Sequence, residues 1–255
     1  MDAHDERPHD TMYTTGEYFL KNEGCKDAGF KIEYLRRILL RLDGGSFVRK
    51  VMSVADIGCG AGKTTSALYK LFKELTGNEV EVDGYDVHPF IDQLQGSDRV
   101  RFIKGDFAAL ASKVYDIAVL FDVIEHVSDP ISFLSGISAK ARYVVLHIPL
   151  DDSYFLWLRN LPRENLKFPG HLVALDPASA LNLLTYSGLR VLDYEFTPGF
   201  RAPSGKQTIL QKLLYPLRSV SFQVSPFLTH KFLAGVSLMV IGATKTSQEK
   251  SARIV

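Results

Sequence analysis

The sequence predicts an α/β domain built on a doubly wound, mostly parallel sheet, and three observations lead there. Short, near-continuous apolar runs alternate with helix-patterned stretches from residue 51 to 149, the pattern of strands buried on both faces. A glycine-rich turn, "DIGCGAGK" (56–63), follows the first run and opens a helix. Acidic residues, Asp56, Asp86 and Asp106, then recur at the carboxyl ends of three successive runs, the sheet edge at which such folds bind ligands.

The elements follow in order. A helix is expected from Glu17 to Leu42, with Ile32, Leu35, Leu39 and Leu42 on one face and Gly44-Gly45 as its stop. "VMSVADIG" (51–58) reads as the first strand, and Lys63 to Leu75 as a helix facing the core with Leu68, Leu71, Phe72 and Leu75. Strands are expected at 79–87, 99–106 and 115–124, with a short helical piece near Phe90–Leu94. Asp129-Pro130 supplies an N-cap and a first-turn proline for the next helix, and 141–149 is another buried strand. Residues 150–170 carry Tyr154, Phe155, Trp157 and Phe168 among prolines and charges. A helix from Pro177 to Tyr186 ends at Gly188, a strand covers 189–196, a long excursion covers 197–231, and the last strand covers 235–243. No composition shift marks a linker, so 1–255 reads as one domain.

Composition narrows the function. A formal net charge of +1 gives no global footprint for nucleic acid, so none is expected as partner. Two cysteines, Cys25 and Cys59, exclude a disulfide scaffold and a cysteine-rich zinc site. The polar N-terminus lacks an apolar leader pattern, and a cytoplasmic protein is expected.

What the glycine loop binds is decided by its surroundings. A P-loop needs four residues between its first glycine and Gly-Lys-Thr; counting back from Gly62 puts Ile57 in that place. The dinucleotide fingerprint G-x-G-x-x-G fails as well, because the glycines stand at 58, 60 and 62. Three carboxylates would serve a pyrophosphate poorly. They suit a nucleoside with a cationic amino-acid tail: Asp86 for both ribose hydroxyls, Asp106 with Phe107 for an adenine, Asp56 and the loop backbone for the amino-acid end. A strand-end cap or turn is the alternative role of each aspartate taken singly.

On these residues the chain resembles the class I S-adenosylmethionine-dependent methyltransferases. "VADIGCGAG" is similar to their first motif, "GYDVHP" to the acidic end of their second strand, and "KGDF" to their adenine-contacting turn. "YDIAVLFDVIEHVSDP" and "GHLVALDPASALNLLTYSGLRV" resemble the small-molecule branch that includes ubiquinone-biosynthesis O-methyltransferases. The resemblance implies a Rossmann-like seven-stranded mixed sheet, mostly parallel with the last strand antiparallel. It also implies an N-terminal helical cap (1–45), a substrate lid (150–170) and a helical insertion before the last strand (197–231). The implied cofactor is S-adenosylmethionine, with contacts at Asp56, Gly58, Cys59, Gly60, Asp86, Val87, Asp106, Phe107, Phe121 and Asp122. The implied activity is methyl transfer to a small molecule, foremost onto a hydroxyl oxygen. N- or C-methylation, or a cofactor-binding module acting through a partner without catalysis, stand as alternatives.

A hydroxyl nucleophile needs a general base, and histidine titrates in the useful range. His126 and His171 are the candidates, while His147, inside a strand pattern, reads as a core residue. Tyr154, Trp157 and His171 are expected at the substrate, and Tyr13, Tyr18 and Phe19 resemble the segment that covers the cofactor. No metal is expected. The set Asp122, Glu125 and His126 is the alternative, since some similar ubiquinone-type enzymes with Glu-x-x-Glu-His in this place need a divalent ion. Finally, residues 196–248 hold no acid, and "KQTILQKLLYPLRS" has leucines at helical spacing before a kink or stop at Pro216. That helix (206–218) either packs on the sheet or meets an anionic membrane surface or lipid-linked substrate.

Overall fold

A computed structural model describes residues 27–203 and 208–247. The strands are β1 (Ser53–Ile57), β2 (Glu81–Asp86), β3 (Val100–Lys104), β4 (Tyr115–Phe121), β5 (Ala141–Pro149), β6 (Arg190–Thr197) and β7 (Ser237–Ala243). They form one sheet in the order β3-β2-β1-β4-β5-β7-β6. β1 pairs in parallel with β2 and with β4, and parallel pairing continues outward to β3 and β5. β7 lies antiparallel between β5 and β6. The chain leaves β1 in one direction and returns to its other side at β4, so a topological switch point opens above the carboxyl ends of β1 and β4.

In the first half the helices are α1 (Ala28–Arg41), α2 (Lys63–Thr76), α3 (Phe107–Leu110) and α4 (Pro130–Ser138). In the second half they are α5 (Tyr154–Leu158), α6 (Leu161–Lys167), α7 (Pro177–Tyr186), α8 (Ile209–Val224) and α9 (Pro226–Leu233). Leu35, Ile38 and Leu39 of α1 and Leu68, Leu71 and Phe72 of α2 cover one sheet face, against Val54, Val82, Ile117 and Val119. Leu134 and Ile137 of α4 and Ala180 and Leu184 of α7 cover the other, against Ala55, Val144 and Leu146. Burying both faces explains why the strands read as continuous apolar runs.

Local signals set the helix ends. Asp129 accepts the Ser132 N–H at 3.1 Å and Pro130 opens α4, while Asp176 and Ser179 form a capping box on α7. Of the kink or stop read at Pro216, the stop does not occur: α8 begins at a Thr208–Gln211 capping box and runs through the proline to Val224. Pro216 is exposed, on the side of the helix where a carbonyl without a helical donor costs least. The expected N-terminal cap is described only through α1, and Tyr13, Tyr18 and Phe19 lie outside the described residues.

Candidate cofactor and catalytic site

After β1 the backbone turns through Gly58, Cys59 and Gly60 before α2 begins. The Gly58 and Cys59 N–H groups both donate to the Tyr85 carbonyl, at 2.8 and 3.2 Å, which pins the loop to β2. Gly58 has φ +75°, and a Cβ there would stand 2.6 Å from Val123. Gly62 packs against the Phe102 ring in the same fashion, a Cβ falling 2.7 Å from it. Gly60 differs. It has φ +51° and a Cβ would meet nothing within 4 Å among the described residues, so the loop opens outward at this residue.

Asp86 borders that opening, its Oδ2 accepting the Gly60 N–H at 2.8 Å and its Oδ1 the His88 N–H at 3.1 Å. His88 Nδ1 accepts the Phe90 N–H at 3.1 Å, so the ring proton sits on Nε2 and is donated to the Gly60 carbonyl at 3.0 Å. Gly60 is thus clamped through both of its peptide groups. His88 was not among the residues expected here, although "DVHP" placed it two residues beyond Asp86.

The other carboxylates take different places. Asp56 is buried beneath the loop and accepts the Thr65 hydroxyl at 2.7 Å; burial, reinforced by the nearby Asp86 charge, pushes its carboxyl up to about 7. It therefore supports the loop from below instead of lining its open side, a correction to the sequence reading. Cys59 is enclosed with Thr65 around Gly84, burial pushes its thiol up, and its N–H is taken by Tyr85. Asp106 is exposed at the end of β3 and caps α3, accepting the Ala109 N–H at 2.8 Å. Val87 is exposed beside Asp86. Phe107 requires a correction: its side chain is buried edge-on against Tyr85, ring centroids 5.1 Å apart, and is not available to flank a base. An apolar ring at the first position of a helix over the sheet is drawn into the core, leaving only its backbone at the rim.

β4 ends with the Phe121 ring edge-on to His147, and Asp122 follows with φ +55°. Asp122 Oδ1 accepts from His147 Nδ1 at 2.6 Å, and Oδ2 meets Lys31 Nζ of α1 at 2.6 Å. His147 Nε2 meets the Thr197 hydroxyl at 2.9 Å, so both ring nitrogens are engaged, as expected of a core histidine. Burial alone would raise the Asp122 carboxyl, but Lys31 and His147 outweigh it and hold the group well below the usual range. Lys31 lies outside every motif in the sequence reading.

The turn after β4 and the segment after β5 meet in a second cluster. Leu172 N–H donates to the Glu125 carbonyl at 2.7 Å, and the His126 and His171 rings stand edge to face at 4.8 Å. His126 Nδ1 donates to the Gly170 carbonyl at 3.1 Å. His171 Nδ1 donates to Asp151, whose carboxylate also accepts the Asn165 amide of α6 at 3.0 Å. This leaves His171 Nε2 facing Glu125, 4.0 Å from Oε1. Glu125 is buried, neither of its oxygens has a hydrogen-bond partner among the described residues, and burial with the Asp122 charge raises its carboxyl well above the usual range. Asp151 and Asn165 gave no sequence signal, since nothing in their spacing links them to His171.

The candidate metal set is regrouped. Asp122 is turned away onto Lys31 and His147, and His171 takes its place, so that ligand atoms of Glu125, His126 and His171 lie within 4.8 Å of one another. The Nδ1 bonds to Gly170 and Asp151 are of the kind that orient imidazoles toward a cation. Tyr154 and Trp157 are also corrected: both are exposed on α5, Tyr154 stacking on Phe232 of α9, and neither encloses a pocket with His171. A short amphipathic helix buried from one side only leaves its remaining rings in solvent.

The open side of Gly60, the clamped carboxylate of Asp86 and the exposed Asp106 fit a nucleoside with a cationic tail, and a family model described as a methyltransferase domain matches residues 28–194. The chain belongs to the class I S-adenosylmethionine-dependent methyltransferases. Its cofactor is S-adenosylmethionine. The ubiquinone biosynthesis O-methyltransferase of Vibrio vulnificus is 28% identical to this methyltransferase over 112 residues, 40% of this chain and 46% of that protein. The enzyme of the same name from Pseudoalteromonas translucida is 26% identical over 136 residues, 50% of this chain and 53% of that protein. The chain thus spans about half the length of the curated relatives it matches. The fold is shared with magnesium protoporphyrin IX methyltransferase of Synechocystis PCC 6803, solved with bound SAH, at TM-score 0.55 and 17% identity over 93% of this chain and 97% of that one.

Proposed function

We propose that the protein transfers the methyl group of S-adenosylmethionine to a hydroxyl oxygen of a small molecule, with His171 as general base. The cofactor supplies a methyl carbon already activated by positive sulfur, so the chain's own task is to align the acceptor and remove its proton. Gly58, Gly60, Asp86, Val87 and Asp106 would hold the cofactor, with Asp56 and Cys59 fixing the loop from beneath and Phe121 and Asp122 closing the β4 side. The observation that carries the oxygen assignment is the Asp151–His171 pair. A carboxylate behind Nδ1 fixes the tautomer that presents Nε2 as the proton acceptor, and it balances the charge the ring carries while it holds the acceptor's proton. An amine attacks from its neutral form and needs no such base, whereas a hydroxyl does. The names of the matched ubiquinone O-methyltransferases support the same reading.

The test is a panel of hydroxylated, amino and carbon-acid acceptors with methyl-labelled cofactor. We expect label on oxygen, and kcat lowered about 100-fold or more in His171→Asn and in Asp151→Asn with cofactor affinity unchanged. Label on nitrogen or carbon, or full turnover in both variants, overturns the assignment. Cofactor binding without turnover of any acceptor favours a binding module acting through a partner.

A further inference from the structure

The insertion before the last strand turns its apolar stripe outward. On α8, Ile209, Leu213, Leu217, Val220 and Val224 recur at steps of three and four and so share one face. They are exposed by 79%, 70%, 53%, 63% and 80%. Phe227 and Leu228 continue the exposed apolar surface onto α9 past the Ser225 corner, and Phe232 reaches Tyr154 of α5, ring centroids 5.7 Å apart. α5 then adds Trp157 and Leu158, both exposed. Arg218 fastens the three helices together: it is buried, donates from Nε and Nη2 to the Leu233 carbonyl at 2.9 and 2.7 Å, and lies over the Phe155 ring at 5.7 Å. The surface is therefore a built unit and not a frayed segment, and it far exceeds the scattered apolar residues of an ordinary surface.

Charge identifies the occupant. No Asp or Glu occurs from residue 196 through 248. The helices that carry the patch present exposed cations instead, Lys212 on α8 and Arg159 at the end of α5. An apolar helix face flanked by cations, with Trp and Tyr at its edge, matches the boundary between lipid headgroups and acyl chains. A second copy of this chain would set the same cations against each other across a two-fold axis.

We propose that the α5–α8–α9 surface docks this methyltransferase on an anionic lipid bilayer. The helices lie in the interface plane, since none among the described residues is long and apolar enough to cross a membrane. The docking does not depend on the methyl-transfer reading, and its test does not measure turnover.

Vesicles of phosphatidylcholine alone, and of phosphatidylcholine with a third phosphatidylglycerol, are sedimented with the full chain. We expect at least about tenfold tighter binding to the anionic vesicles, weakened by salt. Trp157 is the single tryptophan, so its emission should shift to the blue on binding. Leu213→Asp combined with Val220→Asp should reduce vesicle binding at least about tenfold, and Lys212→Glu should reduce it less and remove part of the salt dependence. Both residues of the double variant are exposed, so its circular dichroism and its S-adenosylmethionine affinity by calorimetry should match the wild type. Absence of vesicle binding by a wild-type protein that still binds cofactor overturns the proposal. Equal binding by the double variant overturns it too, as does a dimer in light scattering that the double variant converts to monomer.

Discussion

Replacing Lys31 by methionine should loosen the joint between α1 and the ligand edge of the sheet. Lys31 Nζ lies 2.6 Å from Asp122 Oδ2 and 2.9 Å from Asp27 Oδ2, and the side chain is buried. Burial disfavours its charge, but Asp122 and Asp27 more than reverse this and hold the ammonium well above its ordinary range. Removing one partner of a fully buried ion pair costs about 3–5 kcal/mol. Asp122 keeps His147 and exposes about a third of its side chain, so the expected loss is smaller, about 2 kcal/mol. Urea unfolding at pH 7 measures it. A cycle with Asp122→Asn should return a coupling of about 1–2 kcal/mol, because the two side chains touch. The sign with pH also follows. The Asp122 carboxyl is held below its unfolded value, so its contribution is present above that value, near pH 4, and is lost as pH falls toward the folded one. Lys31→Met should flatten that acid limb. A loss under about 0.5 kcal/mol, or strict additivity in the cycle, would refute the claim that this pair ties the N-terminal helix down.

Three further outcomes separate the parts of the site. Gly58→Ala forces a Cβ to 2.6 Å from Val123 at φ +75° and should destabilise the fold by about 2–3 kcal/mol by thermal unfolding. Gly60→Ala meets no atom among the described residues; it should cost about 1 kcal/mol or less yet weaken S-adenosylmethionine binding by calorimetry, since its methyl group fills the opening beside Asp86. Chelator-treated protein should retain methyl transfer if His171 acts as the base; loss of activity restored by added zinc or manganese would instead assign Glu125, His126 and His171 to a cation.

Much of the architecture was legible because it is local or periodic. The boundaries read for α7, Pro177 to Tyr186, are those found, since Asp176, Pro177 and Gly188 mark both ends chemically. The strands were visible because both sheet faces are covered. What escaped detection depends on contacts far apart in the chain. Lys31 sits between Phe30 and Ile32 on a helix whose apolar spacing alone gives no reason to single out a lysine. Only the left-handed turn at Asp122 brings its carboxylate within reach. Asp151 meets His171 because α6 folds back and its Asn165 carbonyl accepts the Gly170 and His171 N–H groups at 2.8 and 2.9 Å. Phe107 shows the converse: a motif can locate a backbone turn correctly and still mislead about the side chain, whose direction is settled by the core around Tyr85 and Tyr115. On α8 the reading broke at Pro216, so of the exposed stripe only Leu213 and Leu217 were read; Val220 and Val224 beyond the proline, and the side on which the stripe falls, were not.

Asp56 carries the most specific consequence for ligand binding. Its carboxyl is raised from 3.8 to about 7 first by burial and then by the Asp86 charge, with Thr65 as its close partner among the described residues. A group raised in this way stabilises the fold most when protonated, so this contribution is complete below its unfolded value and declines between pH 3.8 and about 7, at about 1.4 kcal/mol per pH unit. A cation held between the loop and Asp86 reverses the balance, because it favours the ionised form of Asp56. Binding of S-adenosylmethionine near pH 6 should therefore release protons and tighten as pH rises toward 7. Calorimetry in buffers of different ionisation enthalpy counts the protons, and Asp56→Asn should abolish both the release and the pH dependence while keeping the Thr65 contact. If the asparagine variant releases as many protons as the wild type, the titrating group is elsewhere and Asp56 is only a strut beneath the glycine turn.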